Sequence, residues 1–484
     1  GQTLGDKNVH IIDPFTGTGT FITRLIQSGL ISDAQLPYKY KNEIHANELV
    51  LLAYYIAAIN IEAVYHDIIL DDYAPFNGIC LTDTFQMYEK EDMIDKLLVK
   101  NSARRKRQKS LDIRVIIGNP PYSAGQKSED DNNPNIDYPL LDDRIRNTYA
   151  RNSTATSTKN LMDSYIRAIR WASDRVENSG IIGFISSASF IDGKSMDGLR
   201  KCLADEFSSI YVFHLRGNQQ STQGESSRKE GGKIFGGGSR APIAITIFVK
   251  NPNATEYGKI YFHDIGDYLS REEKLEKITQ LNSINGITAT NGWQIITPDA
   301  HYDWINQRDE SFNDFICFGS KKANSDNYFI FEEYSQGVLT SRDAWCYQYS
   351  EKLLDKNVSE MIFFYNSKVR DYNMSSSDNV DDFIIHNTKK ISWSSSLKSH
   401  FEKKREIEFF RNNIRKCIYR PFSKQWLYFD KMLNHRVSRI KSIFPNETVQ
   451  NKVIYINGAA SGDRDFSVIM TDITPDLNLQ HSSG

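Results

Sequence analysis

The segment Val115 to Gln126, VIIGNPPYSAGQ, places four unusual residues directly after an apolar strand. They are Asn119, Pro120, Pro121 and Tyr122. Proline fixes its own backbone and biases the preceding residue towards extended geometry, so the carbonyl groups of this segment have fixed directions. The Asn119 side-chain oxygen can accept hydrogen bonds, and Tyr122 offers a flat face to a planar group. The segment therefore predicts a site for a planar amine or amide.

The chemistry of such a group explains why these residue types occur together. An exocyclic amino group such as N6 of adenine is a poor nucleophile, because its lone pair is delocalised into the ring. If its N–H groups donate to the Asn119 side-chain oxygen and the Pro120 carbonyl oxygen, the nitrogen can pyramidalise and direct its lone pair at an electrophile. The alternative interpretation is a proline-rich turn after an edge strand.

Three acidic residues follow earlier predicted strands. In DPFTGTGT, Asp13 ends the strand VHIID, and the chain turns through Gly17 and Gly19 into a helix; Glu48 and Asp83 follow the next two strands. Glycine lets a backbone approach a ligand closely, and a carboxylate after the second strand can accept ribose hydroxyls. Singly, these residues are typical of a tight turn or a solvated loop. Together they predict a nucleoside site along the carboxyl edge of a sheet.

Strand and helix patterns alternate through the first half of the chain, which predicts an α/β fold with a mainly parallel sheet covered on both faces. The segment 217–238 is rich in Gly, Ser and charge and predicts a mobile loop. From about residue 265 the alternation is lost. We expect a Rossmann-like domain over 1–265 and an α+β recognition domain over 266–484.

Charge is unevenly distributed along the chain, although the formal net charge is only −2. Residues 398–441 contain 13 Lys and Arg against 4 Asp and Glu, a local net charge of +9 interleaved with Phe, Tyr and Trp. This mixture is typical of surfaces that contact nucleic-acid phosphates and bases. The alternative is a basic amphipathic helix followed by a hairpin whose aromatics are core. The basic run NSARRKRQKS, 101–110, predicts a solvated loop.

The five cysteines are scattered without CxxC spacing, which argues against a disulfide framework and a zinc site and predicts buried, inert thiols. No signal peptide or membrane span is predicted, so we expect a cytoplasmic protein. The chain begins with Gly1 and ends in QHSSG, which predicts an excised fragment.

The motifs resemble those of S-adenosylmethionine-dependent amino-methyltransferases, and among them the gamma-class N6-adenine DNA methyltransferases. DPFTGTG is similar to motif I, ANE ending at Glu48 to motif II, TDTF to motif III and NPPY to motif IV. The resemblance implies the cofactor S-adenosyl-L-methionine, a double-stranded DNA substrate and no metal. It assigns cofactor contacts to Asp13, Phe15, Gly17, Gly19, Glu48 and Asp83. It assigns the target base to Asn119, Pro120, Pro121 and Tyr122.

The segments QGVLTSRDAW and YRPFSKQWLYFD further resemble the methyltransferase and target-recognition region of type ISP restriction-modification enzymes. In that family a nuclease and a helicase precede the methyltransferase, so we expect such an upstream region in the parent polypeptide. Only 12 residues precede Asp13, whereas the gamma-class order has motif X upstream. We expect no DNA cleavage or ATP hydrolysis from this chain, since the D…ExK string within DYLSREEK is typical of a solvated helix.

The prediction is a site-specific adenine-N6 DNA methyltransferase with its recognition domain, acting by base flipping. The alternatives are a methyltransferase of protein glutamine or an RNA base, and a non-catalytic DNA-recognition fragment. The second half supplies the candidate DNA-binding residues. These are Arg405, Arg411, Arg415, Lys416, Arg420, Lys424 and Arg436.

Overall fold

The computed structural model describes residues 2–89, 99–121, 138–155, 157–219, 224–235, 240–309, 311, 314–316, 318–319, 329–331, 333–375, 379–384, 387, 389–420, 422–446, 449–457 and 467–480. The chain divides into two compact units, Gly1–Asp309 and Glu310–Gly484, called here the first and second units. The boundary after residue 265 was predicted between a methyltransferase region and a recognition region, and it stays a prediction. None of the described helices is long and apolar enough to cross a membrane.

The first unit is built on a nine-stranded mixed sheet. Its strands are β1 (His10–Asp13), β2 (Ile44–Glu48), β3 (Ile79–Leu81), β4 (Ile113–Gly118), β5 (Gly180–Ser187), β6 (Ser209–His214), β7 (Ile243–Lys250), β8 (Lys259–Asp264) and β9 (Gln294–Ile296). The order is β3-β2-β1-β4-β5-β7-β6-β8-β9. The strands from β3 to β5 are parallel, whereas β7 runs antiparallel to both neighbours and β9 to β8. The predicted α/β class is confirmed, and the strands at β8 and β9 were not predicted.

Helices cover both faces of this sheet. They are α1 (Thr20–Gln27), α2 (Leu36–Asn42), α3 (Leu51–Ile68), α4 (Val99–Lys109), α5 (Pro139–Ile145), α6 (Ser164–Arg175), α7 (Asp197–Glu206), α8 (Gly224–Glu230), α9 (Arg271–Leu281) and α10 (Ile284–Ala289). Successive strand residues point to opposite faces, so Ile11 packs in the core beneath α1 to α3, whereas Ile12 packs in the core beneath α5 to α7.

Two segments differ from the sequence prediction. The basic run 101–110 forms most of α4, because the buried Asn101 amide bonds both the N–H (2.9 Å) and the C=O (2.8 Å) of Leu81 on the edge strand β3. In segment 217–238, residues 224–230 form α8, and the buried Lys274 ammonium donates to the carbonyls of Glu230 (2.7 Å) and Gly232 (2.8 Å). The described part of that segment therefore contains a helix, and these hydrogen bonds join it to α9.

The second unit has a small mixed sheet beside one long helix. Its strands are β10 (Tyr347–Gln348), β11 (Ile414–Tyr419), β12 (Ser423–Tyr428), β13 (Val453–Ile456), β14 (Val468–Thr471) and β15 (Thr474–Pro475), and its helices are α11 (Asp343–Cys346), α12 (Glu351–Met374), α13 (Ser395–Glu402) and α14 (Ile440–Ile443). The main sheet has the order β10-β12-β11-β15. Apolar residues of α12 pack on it in one core, which confirms the predicted α+β class.

Candidate active site

The carboxyl edge of the first sheet collects the predicted site residues. Asp13 ends β1, Glu48 ends β2, Asp83 follows β3 by two residues, and Asn119 follows β4. The chain moves outward from β1 to β3 and then returns to place β4 on the other side of β1. This reversal creates a topological switch point between β1 and β4, where open α/β sheets bind their ligands.

Asp13 is fully buried at this switch point. Its Oδ1 accepts the backbone N–H of Phe15 at 3.0 Å, whereas its buried Oδ2 has no hydrogen-bond partner among the described residues. Burial raises the pKa of Asp13 to about 7, with a smaller contribution from the charge of Glu48, and the Phe15 hydrogen bond opposes this rise. The carboxylate therefore has an unused acceptor where burial favours pairing with a cation.

Gly118 connects Asp13 to the NPPY motif. A Cβ atom on Gly118 would lie 2.9 Å from Oδ1 of Asp13, closer than such contacts normally allow. The missing side chain lets the Asp13 carboxylate occupy the space beside the last residue of β4. Asn119 follows directly, so the start of motif I lies beside the start of NPPY.

Asn119 is half-buried, Pro120 is buried and Pro121 is exposed. The Asn119 side-chain amide makes no hydrogen bond within the described part of the chain. Its oxygen and nitrogen are therefore available to a ligand as far as those residues are concerned. Tyr122, the fourth predicted catalytic residue, lies outside the described residues.

The turn of motif I is closed by Glu48. Its Oε2 accepts the backbone N–H of Gly17 at 2.8 Å, and its Oε1 accepts that of Val50 at 2.7 Å. Gly17 and Gly19 have φ of 55° and 91°, the left-handed region in which glycine carries no steric penalty. A Cβ on Gly19 would lie 3.3 Å from the carbonyl oxygen of Ala57, so this glycine also lets the turn pack closely on α3.

Asp83 has a partner that sequence reasoning missed. Its Oδ1 accepts the N–H of Phe85 at 2.9 Å, and its Oδ2 accepts the hydroxyl of Tyr138 at 2.7 Å. Burial, together with the charge of Asp83, raises the pKa of Tyr138, so this hydroxyl stays a donor. No pattern in the sequence links Tyr138 to a carboxylate 55 residues earlier. Phe15 packs near both Phe85 and Phe184, with ring centroids 5.5 and 6.4 Å apart.

The candidate DNA-binding residues of the second unit fall into two groups. Five of them are exposed, and Arg411 among these forms an ion pair with Glu351. The exposed residues are Arg405, Arg411, Lys416, Lys424 and Arg436. The other two, Arg415 and Arg420, point into the unit.

Arg415 is buried, its Nη1 donates to the carbonyl oxygen of Phe444 at 2.7 Å, and its guanidinium lies 4.1 Å from the ring centroid of Phe429. Arg420 forms ion pairs with Asp343 and Asp476. Both guanidinium groups therefore contribute internal contacts of the second unit.

Comparison with known proteins identifies two domains. The family model of the Eco57I restriction-modification methylase matches residues 41–220. The model of the Type ISP C-terminal specificity domain matches residues 329–484. No curated protein gave a match.

Solved structures give longer matches. A nuclease-deletion mutant of the Type ISP restriction-modification enzyme LlaGI, in complex with a DNA substrate mimic, is 43% identical over 98% of this chain and 39% of its own, with a TM-score of 0.86. The ATP-dependent Type ISP enzyme LlaBIII bound to DNA is 41% identical over 99% of this chain and 31% of its own, with a TM-score of 0.84. The DrdV–DNA complex is 36% identical over 99% of this chain and 46% of its own, with a TM-score of 0.85. The chain thus spans less than half of each relative.

Proposed function

The chain belongs to the Type ISP restriction-modification enzymes, and on that basis we propose that it is a site-specific adenine-N6 DNA methyltransferase with its target-recognition domain. Methyl transfer is assigned to the first unit and recognition of duplex DNA to the second. One observation supports the proposal most strongly: the buried carboxylate of Asp13 ends β1 and lies beside Gly118, the last residue of the adjacent strand β4, which Asn119 follows directly.

The residues at the sheet edge fit S-adenosyl-L-methionine. When bound, this cofactor supplies a methyl group on an electrophilic sulfonium. Oδ2 of Asp13, which has no hydrogen-bond partner among the described residues, suits a cationic group of its methionine portion. Each oxygen of Glu48 accepts one N–H, which leaves lone pairs for ribose hydroxyls. Asp83, held by Tyr138, and the Phe15 ring are assigned to the adenine portion.

Asn119 and Pro120 act on the target base. The Asn119 side-chain oxygen and the Pro120 carbonyl oxygen accept the two N6–H groups of a flipped adenine, and Tyr122 stacks on its ring. The two acceptors draw the amino group out of conjugation, so its lone pair faces the methyl group. S-adenosyl-L-methionine held by Asp13, Glu48 and Asp83 would supply the methyl group that N6 accepts, and the surplus N6 proton would pass to water.

The rest of the parent enzyme is also part of the proposal. The LlaGI protein is described as a nuclease-deletion mutant and LlaBIII as an ATP-dependent enzyme, and both chains are more than twice as long as the part matched here. We therefore place nuclease and ATP-dependent functions in a further region of the parent polypeptide, upstream of this chain.

The experiment is a comparison of substrates. In three separate reactions, the chain is incubated with methyl-labelled S-adenosylmethionine and one substrate. The substrates are varied duplex DNA, structured RNA and glutamine-containing peptides. The proposal predicts label in DNA, recovered after digestion as N6-methyladenine. Label confined to RNA or peptide would show that the substrate class is wrong. DNA binding without transfer to any substrate would favour a recognition-only role.

A further inference from the structure

The turn of the β11–β12 hairpin has an unusual backbone. Tyr419 pairs with Ser423, so residues 420–422 form the connection. Phe422 has φ of 64°, and 55% of its surface is exposed. A bulky side chain is disfavoured in this left-handed region, where glycine or asparagine is the usual choice. The sequence RPFSK therefore keeps a large aromatic residue at a position where glycine would fit the backbone better.

Buried and partly buried charges hold the base of this turn. Arg420 forms ion pairs with Asp343 and with Asp476, the latter between Nε and Oδ1 at 3.3 Å. The Tyr419 hydroxyl donates to Oδ2 of Asp343 at 2.9 Å, and the Tyr347 hydroxyl donates to Oδ2 of Asp476 at 3.0 Å. This network ties the residues before Phe422 to α11 and β15. The backbone that leads to the Phe422 ring is thus anchored, and the strain at φ is offset by contacts beneath it.

The hairpin that carries Phe422 also presents cations, and a further aromatic ring contacts it. Tyr349 is 71% exposed, and its phenolic oxygen accepts the Ser423 hydroxyl at 3.2 Å. Lys416 pairs across the strands with Trp426, and Lys424 with Ile418, so both lysines lie on the same face of the hairpin. Both are exposed. Tyr349 contacts Ser423, whose side chain points to the opposite face from that of Lys424, so only Phe422, Lys416 and Lys424 are called the hairpin tip.

We propose that the hairpin tip binds duplex DNA, with the Phe422 ring stacked on or inserted at a base step and the two lysines on neighbouring phosphates. This inference rests on the proposed function, because it assumes that the second unit contacts DNA. The exposed ring and the exposed ammonium groups of the same hairpin match a ligand that presents flat apolar faces beside negative charge. A protein partner would be expected to cover the ring without requiring two solvated lysines on the same face.

The test uses Phe422→Gly, which removes the ring and relieves the backbone, and Phe422→Trp, which keeps an aromatic face. Phe363→Ala is the matched control, because Phe363 is 71% exposed on the regular helix α12. Affinity for a pool of varied duplex DNA is measured by fluorescence anisotropy. Unstacking of DNA bases is measured by the permanganate reactivity of thymines, and folding of each variant by its melting temperature.

We expect Phe422→Gly to melt no lower than wild type yet bind DNA about tenfold more weakly, the size of one base–aromatic stack. It should also lose the permanganate reactivity that wild type causes at thymines other than the one left unpaired opposite the flipped adenine. Phe422→Trp and Phe363→Ala should bind like wild type. If wild type methylates DNA while Phe422→Gly binds and unstacks it equally well, the inference fails and the proposed function stands. If wild type does not bind DNA, both fail.

Discussion

At the residue scale, the geometry of the site depends on the contact between Asp13 and Gly118. The carboxylate is buried, one of its oxygens accepts no hydrogen bond from any residue that the structure describes, and the glycine gives it room at the end of the neighbouring strand. Any side chain at Gly118 must displace either the cofactor-binding carboxylate or the strand that carries Asn119. Binding of the cofactor and positioning of the base are therefore coupled through a residue that performs no chemistry.

Gly118→Ala should lower methyl transfer by about tenfold to a hundredfold, because displacements of about 1 Å have effects of this size. Gly183→Ala on β5 is the matched control, since its Cβ would meet only the Cγ2 atom of Ile117 at an ordinary 3.8 Å. Steady-state rates and cofactor affinity of the two variants provide the comparison. Equal activity of both variants would show that the close approach at Gly118 is irrelevant.

Asp13→Asn should stabilise the protein without cofactor at alkaline pH while weakening cofactor binding. The folded pKa of Asp13 is raised to about 7, so its favourable contribution is complete below the unfolded pKa of 3.8 and is lost as the pH rises through about 7. At pH 8 the gain is at most about 4 kcal/mol. Melting temperatures of wild type and variant from pH 5 to 8.5 test this. A difference in melting temperature between Asp13→Asn and wild type that does not widen as the pH rises would contradict this prediction.

At the element scale, sequence patterns predicted most of what positions the site. Alternating strand and helix patterns predicted the succession of β1, β2, β3 and β4 along the chain. They also predicted the acidic residues that end or follow the first three of these strands. The edge strands β8 and β9 and the helix α4 were missed, because their stability depends on tertiary contacts such as the Asn101 amide on Leu81. Tyr138 was missed for the same reason: its role depends on contact with Asp83.

The β1–β2 pair should make the first unit sensitive to acid. His10 Nδ1 and His45 Nε2 lie 3.1 Å apart, and burial lowers the pKa of both histidines, most strongly that of His45. The contribution of these two neutral histidines to the free energy of unfolding is thus complete above the unfolded pKa of 6.5, and it is lost as the pH falls below that value. His45→Gln should lose less melting temperature than wild type between pH 7 and 5, with His301→Gln as the control. Parallel melting curves for His45→Gln and wild type would rule this out.

At the scale of the whole molecule, composition predicted the second unit only in outline. The basic segment 398–441 suggested DNA contacts, but charge alone could not separate exposed Lys416 and Lys424 from Arg415 and Arg420, which stabilise the interior. That separation depends on strand register, because a shift by one residue would exchange inward and outward side chains. The nearly neutral chain therefore presents a smaller cationic surface than its sequence implies.

DNA binding should show this difference in its salt dependence. Replacing Lys416 and Lys424 with Gln should reduce the slope of log affinity against log salt by about 0.9 for each phosphate that is no longer neutralised. Arg415→Met should leave the slope unchanged and lower the melting temperature, because the Phe444 carbonyl loses its buried donor. Titrations at several salt concentrations distinguish the two cases. A reduced slope for Arg415→Met would place its guanidinium on DNA.

The most direct test of the central claim is single-turnover methylation of duplex DNA by wild type and Asn119→Ala, with cofactor affinity measured in parallel. If Asn119 holds the target amino group, the variant should bind S-adenosylmethionine like wild type and transfer its methyl group at least about a hundredfold more slowly, the effect of removing one positioned polar group from an active site. Transfer by Asn119→Ala at the wild-type rate would contradict the assignment of the carboxyl edge at β4 as the site of catalysis.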